Sequence, residues 1–147
     1  PDLANKLAAL KAESVETAGV VINKDETTLG PIAALAAADD VFYSFVSRDT
    51  FADSKYRGFA FHFKAGASSR EKKLELIARV LGTKNFGQVA TASHVIPSLR
   101  LGHKEKIAEI DRLIAATSLM LTGNYFSGVA IEDCVSRSLQ ESGRIKL

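Results

Sequence analysis

Residues 121–134 have the sequence LTGNYFSGVAIEDC, in which two glycines separate an apolar segment from a helical pattern. Residues 119–123 are predicted to form a short strand buried on both faces, because the segment begins with three apolar side chains. Gly123 would end that strand and Gly128 would begin the last helix. A helix N-terminus presents unpaired backbone N–H groups, and glycine permits close approach, so the turn favours an anionic ligand. On the pattern alone, a strand–helix turn without a ligand is the more common case.

The composition indicates an ordinary globular chain. Its 147 residues are 46% hydrophobic and 24% charged, and the formal net charge is +2. No basic stripe of the kind used for nucleic acid is present, so no nucleic-acid partner is expected. The single cysteine, Cys134, cannot form an internal disulfide, which favours a reducing, cytoplasmic compartment. No apolar stretch is long enough to span a bilayer, and association of a larger parent protein with a membrane is left open.

Hydrophobic periodicity predicts a mixture of helices and strands. The expected helices cover residues 3–11, 69–81, 102–118 and 127–143. The expected strands cover residues 15–23, 40–49, 59–65, 86–97 and 119–123. The Ala-rich residues 33–40 are compatible with one helical turn or with an ordered loop. Because the chain begins with Pro1, either a processed start or a piece of a longer polypeptide is expected.

Caps and faces can also be assigned to these elements. Ser68 and Glu71 fit a capping box at the start of the second helix, and Gly82 fits its C-terminal cap. On the last helix, the residues predicted to face the core are Ile131, Cys134, Val135 and Leu139.

The two central strands are predicted to form a hairpin rich in aromatic residues. One face of the first strand would carry Val41, Tyr43 and Phe45, and the other face Phe42, Ser44 and Val46. The second strand would place Phe59, Phe61 and Phe63 on one face. These rings are interpreted as core packing, with the wall of a flat apolar pocket as the alternative.

His94 and His103 flank the segment that follows Pro97. Both could act as ligands or acid–base groups, and both are compatible with ordinary surface positions. The three histidines do not cluster with cysteines or carboxylates at metal-ligand spacing, so no metal site is expected. The sequence also contains no nucleophile elbow and no P-loop.

Residues 95–114 (VIPSLRLGHKEKIAEIDRLI) and 119–143 (LMLTGNYFSGVAIEDCVSRSLQESG) together resemble the C-terminal region of the flavin-containing amine oxidase superfamily. The most similar branch is that of protoporphyrinogen oxidase. The resemblance depends on the Ile-Pro-x-x-x-x-Gly-His segment, the Gly-Asn turn and the Gly-Val-x-Ile-x-Asp-Cys helix start. It implies a mixed α+β or α/β fold. Residues 1–95 would belong to a substrate-binding domain with a mixed sheet. Residues 96–147 would supply the last strand and helix of a Rossmann-like FAD-binding domain.

The resemblance also implies a cofactor and an activity. The turn at residues 123–125 would approach the ribityl chain and pyrophosphate of FAD, and residues 128–130 would face the flavin N1/O2 edge. Residues 96–99 would border the flavin ring and the active site. The parent enzyme would dehydrogenate a small apolar or conjugated substrate by hydride transfer to the flavin. No catalytic residue is assigned. The residues implied to bind the cofactor are Ile96, Pro97, Gly123, Asn124, Tyr125, Gly128, Val129 and Ala130.

Three departures from the family pattern limit what these 147 residues can do alone. Many relatives carry an acidic residue where Asn124 stands, and the Trp that often precedes the Ile-Pro segment is missing. The Gly-x-Gly-x-x-Gly turn that holds the adenine half of FAD is absent. This chain alone is therefore expected to be inactive and not to bind FAD. Its expected partner is an N-terminal FAD-binding half, and self-association is left open. The alternative is a stand-alone binding or structural domain without catalysis.

Overall fold

A computed structural model of the chain describes residues 2–31, 34–36, 42–48, 51 and 53–144. The described residues fall into two compact units, one of residues 14–95 and one that combines residues 2–13 with residues 96–144. The expected mixture of helices and strands is confirmed. The assignment of residues 1–95 to a substrate-binding domain and of residues 96–147 to an FAD domain stays a prediction.

The elements follow the hydrophobic pattern in most places. The helices are α1 (Asp2–Ala8), α2 (Arg70–Leu81), α3 (His103–Ile114) and α4 (Ile131–Ser142). The strands are β1 (Ala12–Asn23), β2 (Leu35–Ala36), β3 (Phe42–Ser47), β4 (Tyr56–Lys64) and β5 (Gln88–Pro97), and a short 3-10 turn (Lys24–Glu26) follows β1. The β2 strand lies in the Ala-rich stretch, which was expected to be a helical turn or a loop. Residues 33 and 37–40 of that stretch lie outside the described residues.

The unit of residues 14–95 contains a sheet with the strand order β2-β3-β4-β1-β5. The β1–β4, β2–β3 and β3–β4 pairs are antiparallel, which confirms the predicted hairpin. One face of the sheet is buried together with α2 in an apolar cluster that includes Phe59, Phe61 and Phe63. Phe45 stacks on Phe61 with 4.9 Å between ring centroids. The core-packing interpretation of these phenylalanines is therefore confirmed.

The predicted alternation along β3 is wrong because a bulge interrupts it. Phe42 pairs with Phe63, but Ser44 then pairs with His62, so the register shifts between Phe42 and Ser44. An extra residue on one strand turns the following side chains to the opposite face. Phe42 and Phe45 are consequently both buried, whereas Tyr43 is exposed. Val41, which was expected to share a face with Tyr43, lies outside the described residues.

The boundaries of α2 match its predicted caps except at one residue. The N-cap is Ser69 and not Ser68, and its hydroxyl accepts a hydrogen bond from the Lys72 N–H. Gly82 has φ of 77° and ends the helix, as predicted. The left-handed backbone conformation at this position costs little energy for glycine, because glycine has no Cβ.

The second unit is held by apolar contacts among α1, α3 and the turn before α4. Ile107, Ile110 and Phe126 are buried there. The partly buried side chains packed against them are Leu3, Leu7, Leu10 and Leu121. Ile107, Ile110 and Ile114, which recur at helical spacing along α3, are all buried.

Three expectations about the C-terminal region are wrong. Residues 119–123 form no strand, and Leu119 and Met120 are both more than two-fifths exposed. The last helix begins at Ile131 and not near Gly128. Its predicted core face is also wrong, since Ile131, Val135 and Leu139 are 84%, 52% and 67% exposed and Cys134 is only half-buried.

The aromatic cluster can be tested with a matched pair of substitutions. Phe61→Ala removes a ring that is fully buried, whereas Phe51→Ala removes one that is 89% exposed. We expect Phe61→Ala to lower the free energy of unfolding by about 3–5 kcal/mol because it leaves a cavity. Phe51→Ala should change it by no more than about 0.5 kcal/mol. Denaturant unfolding measures both values, and equal effects of the two substitutions would contradict the assigned core.

Candidate functional site

The eight residues implied to contact FAD all lie in the unit that contains α3 and α4. Tyr125 and Val129 are 40% and 57% exposed, and Asn124 and Ala130 are exposed as well. Gly128 is buried. Residues 123–130 therefore form an open wall with a recessed glycine. Ile96 is also 44% exposed, at the end of β5.

A buried aromatic ring anchors this wall. Phe126 is 3% exposed and packs with Ile107 and Ile110. The preceding ring, Tyr125, lies 5.0 Å from Phe126 between centroids and points to a more exposed position. Gly123 has φ of 133°, and a Cβ there would lie 3.2 Å from the Tyr125 ring. Glycine at 123 thus permits both the backbone conformation and the position of the tyrosine.

The space above Gly128 is filled by a carboxylate. A Cβ on Gly128 would lie 2.0 Å from Asp133 Oδ2, so any side chain there would have to displace the Asp133 carboxylate. The same oxygen accepts a hydrogen bond of 3.2 Å from the backbone N–H of Ala130, the N-cap residue of α4. Ala130 has no side-chain oxygen to return the bond. Of the two hydrogen bonds of a capping box, only the one from the N-cap N–H to Asp133 is therefore made. Glycine at 128 leaves space for the Asp133 carboxylate.

Backbone donors at this helix start remain available, among them those of Gly128 and Val129. Within the described part of the chain, the N–H groups of Gly128 and Val129 donate no hydrogen bond. Both residues precede the first turn of α4, where the positive end of the helix dipole lies. Such donors can bind an electron-rich ligand atom without any rearrangement of existing hydrogen bonds.

The buried guanidinium of Arg137 contacts α3, α4 and the chain between these two helices. Arg137 is 2% exposed and donates to both oxygens of Asp111, at 3.1 and 2.6 Å. It also pairs with Glu141 at 3.0 Å and lies over the Phe126 ring, 4.6 Å from its centroid. These contacts neutralise the buried charge and place the guanidinium against the Phe126 ring.

The same charged side chains explain why residues 119–121 are not a strand. The N–H of Leu121 donates to Glu141 Oε2 at 3.2 Å, and its carbonyl accepts from Arg137 Nε at 3.0 Å. Arg144 donates to the Leu119 carbonyl at 3.2 Å. Side chains of α4 and of its C-terminal end thus satisfy backbone groups that a neighbouring strand would otherwise bind.

Ile96 and Pro97 are positioned by a separate set of contacts. The Ser98 N–H donates to the Lys11 carbonyl at 2.8 Å, and Arg100 forms an ion pair with Glu13. Arg100, and then Ser98, hold the pKa of the Glu13 carboxyl below its usual range by hydrogen bonding to its charged form. Among the described residues, no hydrogen bond links residues 96–97 to residues 123–130.

Sequence reasoning missed the charged residues whose hydrogen bonds and ion pairs hold the segment before α4 in place. Asp133 carried a detectable signal, because an acidic residue three positions after an N-cap commonly accepts from the cap N–H. The sequence also indicated the ion pair of Arg137 and Glu141, because the two residues have the i, i+4 spacing of such a pair on a helix. The apolar stripe of Ile131, Val135 and Leu139 outweighed that signal in the prediction, and the structure places the stripe on the outer face.

No family model matches this chain. The described residues contain no group of three or more His, Cys, Asp or Glu side chains that could hold a metal ion. Likewise, none of the helices in the described ranges has the length and apolar character needed to cross a membrane.

The buried guanidinium is tested by comparing two arginines. Arg137→Met removes a side chain that is 2% exposed, and Arg100→Met removes one that is 66% exposed. The first substitution leaves the buried Glu141 with Arg144 alone and removes the donor to Asp111 and to the Leu121 carbonyl, so it should lower the free energy of unfolding by about 3–5 kcal/mol. The second should lower it by less than about 1 kcal/mol. Denaturant unfolding monitored by tyrosine fluorescence measures both, and a small effect of Arg137→Met would contradict the assigned role.

The Glu13 contacts predict a pH dependence. Because the folded-state pKa of Glu13 is lowered, its contribution to stability is present above the unfolded-state pKa and is lost as pH falls through the folded value. The stability difference between the wild type and Glu13→Gln should therefore shrink as pH falls below about 4. Glu132→Gln, at an exposed carboxylate without an ion pair in the described chain, is the control. A pH-independent difference for Glu13→Gln would rule out this contribution.

Proposed function

We propose that this chain is the C-terminal portion of an FAD-dependent oxidoreductase of the flavin-containing amine oxidase type, similar to protoporphyrinogen oxidase. In this proposal residues 123–130 form one wall of the flavin pocket. The observation that carries the proposal is the pair of unbonded N–H groups at Gly128 and Val129, which precede α4 at the position where the family resemblance implies the flavin edge.

The chain's own residues have defined tasks in this proposal. The N–H groups of Gly128 and Val129 donate to an electron-rich edge, and they are fixed in place because Asp133 and Phe126 hold the turn on either side. Tyr125 offers an exposed ring next to Asn124. Bound FAD supplies the hydride acceptor for dehydrogenation of a small apolar or conjugated substrate. Ile96 and Pro97 would border the substrate side of the same pocket.

The outer face of α4 supports the existence of a covering partner. Ile131, Val135 and Leu139 on this face expose 84%, 52% and 67% of their surfaces, and Val129, just before the helix, exposes 57%. A run of exposed apolar side chains on one helix face is typical of an interaction surface. The proposed occupant is the N-terminal FAD-binding half of the parent enzyme, which would also carry the glycine-rich turn.

A stand-alone binding or structural domain without catalysis remains the second candidate. The observation in its favour is that α4 is anchored within these residues by Arg137, Glu141 and Asp111. Such a domain would use the exposed α4 face to bind another protein and would need no cofactor. The two candidates differ in whether the parent polypeptide holds flavin.

Flavin retention by the parent polypeptide tests the proposal. Purified without added cofactor, the parent should show flavin absorbance, whereas the 147-residue chain alone should be colourless. Gly128→Ala in the parent should weaken FAD binding at least about tenfold, because the added Cβ displaces Asp133 from the helix start. Gly30→Ala is the matched control, since a Cβ there meets nothing within 4 Å.

Three results would contradict the proposal. The first is a parent that shows no flavin absorbance and takes up no added FAD. The second is equal loss of FAD in Gly128→Ala and Gly30→Ala. The third is stoichiometric flavin on the isolated chain, which would show that no second half is needed. Far-UV circular dichroism of both variants verifies that the fold is retained.

A further inference from the structure

One edge of the sheet in the unit of residues 14–95 is a long strand. The strand order places β5 at one end of the described sheet and β2 at the other. The β2 strand has two residues, whereas β5 has ten. Residues 88–95 of β5 belong to this unit, and every residue from 90 to 95 is exposed. The β5 edge is therefore long enough and open enough to accept a further strand.

The outer side of β5 presents backbone groups that have no partner. A strand at the end of a sheet is hydrogen-bonded on one side only, so about half of its N–H and C=O groups point away from the sheet. Among the described residues, the backbone of residues 88–95 makes no hydrogen bond apart from its pairing with β1. A row of alternating donors and acceptors fits one kind of occupant, which is an extended segment of chain.

The β5 edge lacks the features that protect other edge strands from additional chains. Residues 88–95 (QVATASHV) contain no Lys, Arg, Asp, Glu or Pro. None of them has a positive φ, so no glycine-type bulge turns the edge away. Val95 is 73% exposed. Nothing in this segment therefore repels a second strand.

The side chains of this segment are arranged symmetrically about Ala92. Val89 and Val95 lie three positions on either side of it, and Thr91 and Ser93 lie one position on either side. In an antiparallel pair of two identical strands centred on this residue, valine is opposite valine and hydroxyl is opposite hydroxyl. Both kinds of cross-strand pair are stabilising. The segment is thus complementary to a second copy of itself.

We propose that the β5 edge pairs antiparallel with the β5 edge of a second copy of this chain, across a two-fold axis at Ala92. The contact is isologous, as in most dimers, and it joins the two sheets into one. It does not depend on the proposed flavin wall of residues 123–130, which belongs to the other unit.

The positions of His94 and Val95 favour this register over its neighbours. An axis at Ala92 places His94 opposite Ala90 of the second copy. An axis at His94 would place two imidazoles directly opposite each other, which is unfavourable when they are charged. An axis at Ala90 would leave Val95 opposite Asn85, a residue that lies outside β5.

Sedimentation equilibrium of the 147-residue chain tests the pairing. We expect a dimer with a dissociation constant of about 1–100 μM, because one pair of strands buries less surface than a standard stable interface. Ala92→Lys places two like charges opposite each other at the axis and should weaken dimerisation at least about fivefold, with part of the loss restored by salt. Ala115→Lys, at an exposed alanine after α3, is the matched control and should leave the dimer unchanged.

A third variant separates the β5 edge from the exposed face of α4. Leu139 is 67% exposed on that face, so Leu139→Lys would dissociate a dimer formed through α4. We expect Leu139→Lys to dimerise as the wild type does. Far-UV circular dichroism of all three variants verifies that the fold is retained.

Cysteine cross-linking then tests the register. Opposite Cα atoms of an antiparallel pair are about 4.5–5.5 Å apart, a distance that a disulfide can span. In a Cys134→Ser background, Ala92→Cys should give a disulfide-linked dimer under mild oxidation. Gln88→Cys, at another exposed position of the same strand, should not, because the two copies of residue 88 would lie roughly 26 Å apart.

Each of four outcomes would overturn the proposal. The first is a chain that stays monomeric up to about 1 mM, which would leave the edge to a strand of a different polypeptide. The second is equal weakening by Ala92→Lys and Ala115→Lys. The third is a dimer that Leu139→Lys dissociates and Ala92→Lys does not. The fourth is cross-linking through Gln88→Cys as readily as through Ala92→Cys.

Discussion

Arg137 is 2% exposed, and its guanidinium contacts two carboxylates, the Leu121 carbonyl and the Phe126 ring. A buried cation is tolerated only where its charge and its donors are all engaged. Here that requirement is met by groups from α3, from α4 and from the chain between them. The buried charge therefore fixes the position of α4 against α3 and holds the turn that carries the candidate site.

This arrangement gives α4 an inner face that is charged and an outer face that is apolar. Arg137 and Glu141 are buried, while Ile131, Val135 and Leu139 are exposed. Ordinary surface helices show the opposite distribution. The inversion is understandable if the inner face binds the backbone of residues 119–121 and the outer face belongs to an interface with another part of the protein. In that case the N-terminus of α4 would lie between the fixed contacts of Arg137 and the partner that covers the outer face. One edge of a ligand could be buried there.

The sequence was informative where apolar periodicity decides the outcome. The helices α2 and α3 and the Phe59–Phe61–Phe63 face follow directly from the pattern, because burial of apolar surface dominates there. The pattern failed along β3, where a bulge reverses the alternation after Phe42. A single extra residue in a strand leaves no mark in hydrophobicity, so sequence periodicity could not reveal it.

The candidate site was only partly predictable for a related reason. Two glycines marked the turn, and their roles follow from steric limits at Gly123 and Gly128. The stripe on α4 was assigned to the core because periodicity identifies a face but not what covers it. The prediction of a strand at residues 119–123 was wrong for a similar reason. Arg137 and Glu141 bind the backbone of Leu121 in place of a neighbouring strand. Side-chain hydrogen bonds of this kind depend on tertiary position.

Amide hydrogen exchange in the parent polypeptide, with and without FAD, is the most direct test of the central claim that residues 128–129 donate to the cofactor. Leu121 is the internal reference, because its N–H is already bonded to Glu141. The account predicts that FAD slows exchange at Gly128 and Val129 strongly and at Leu121 little. Unchanged exchange at Gly128 and Val129 in the FAD-loaded protein would contradict it.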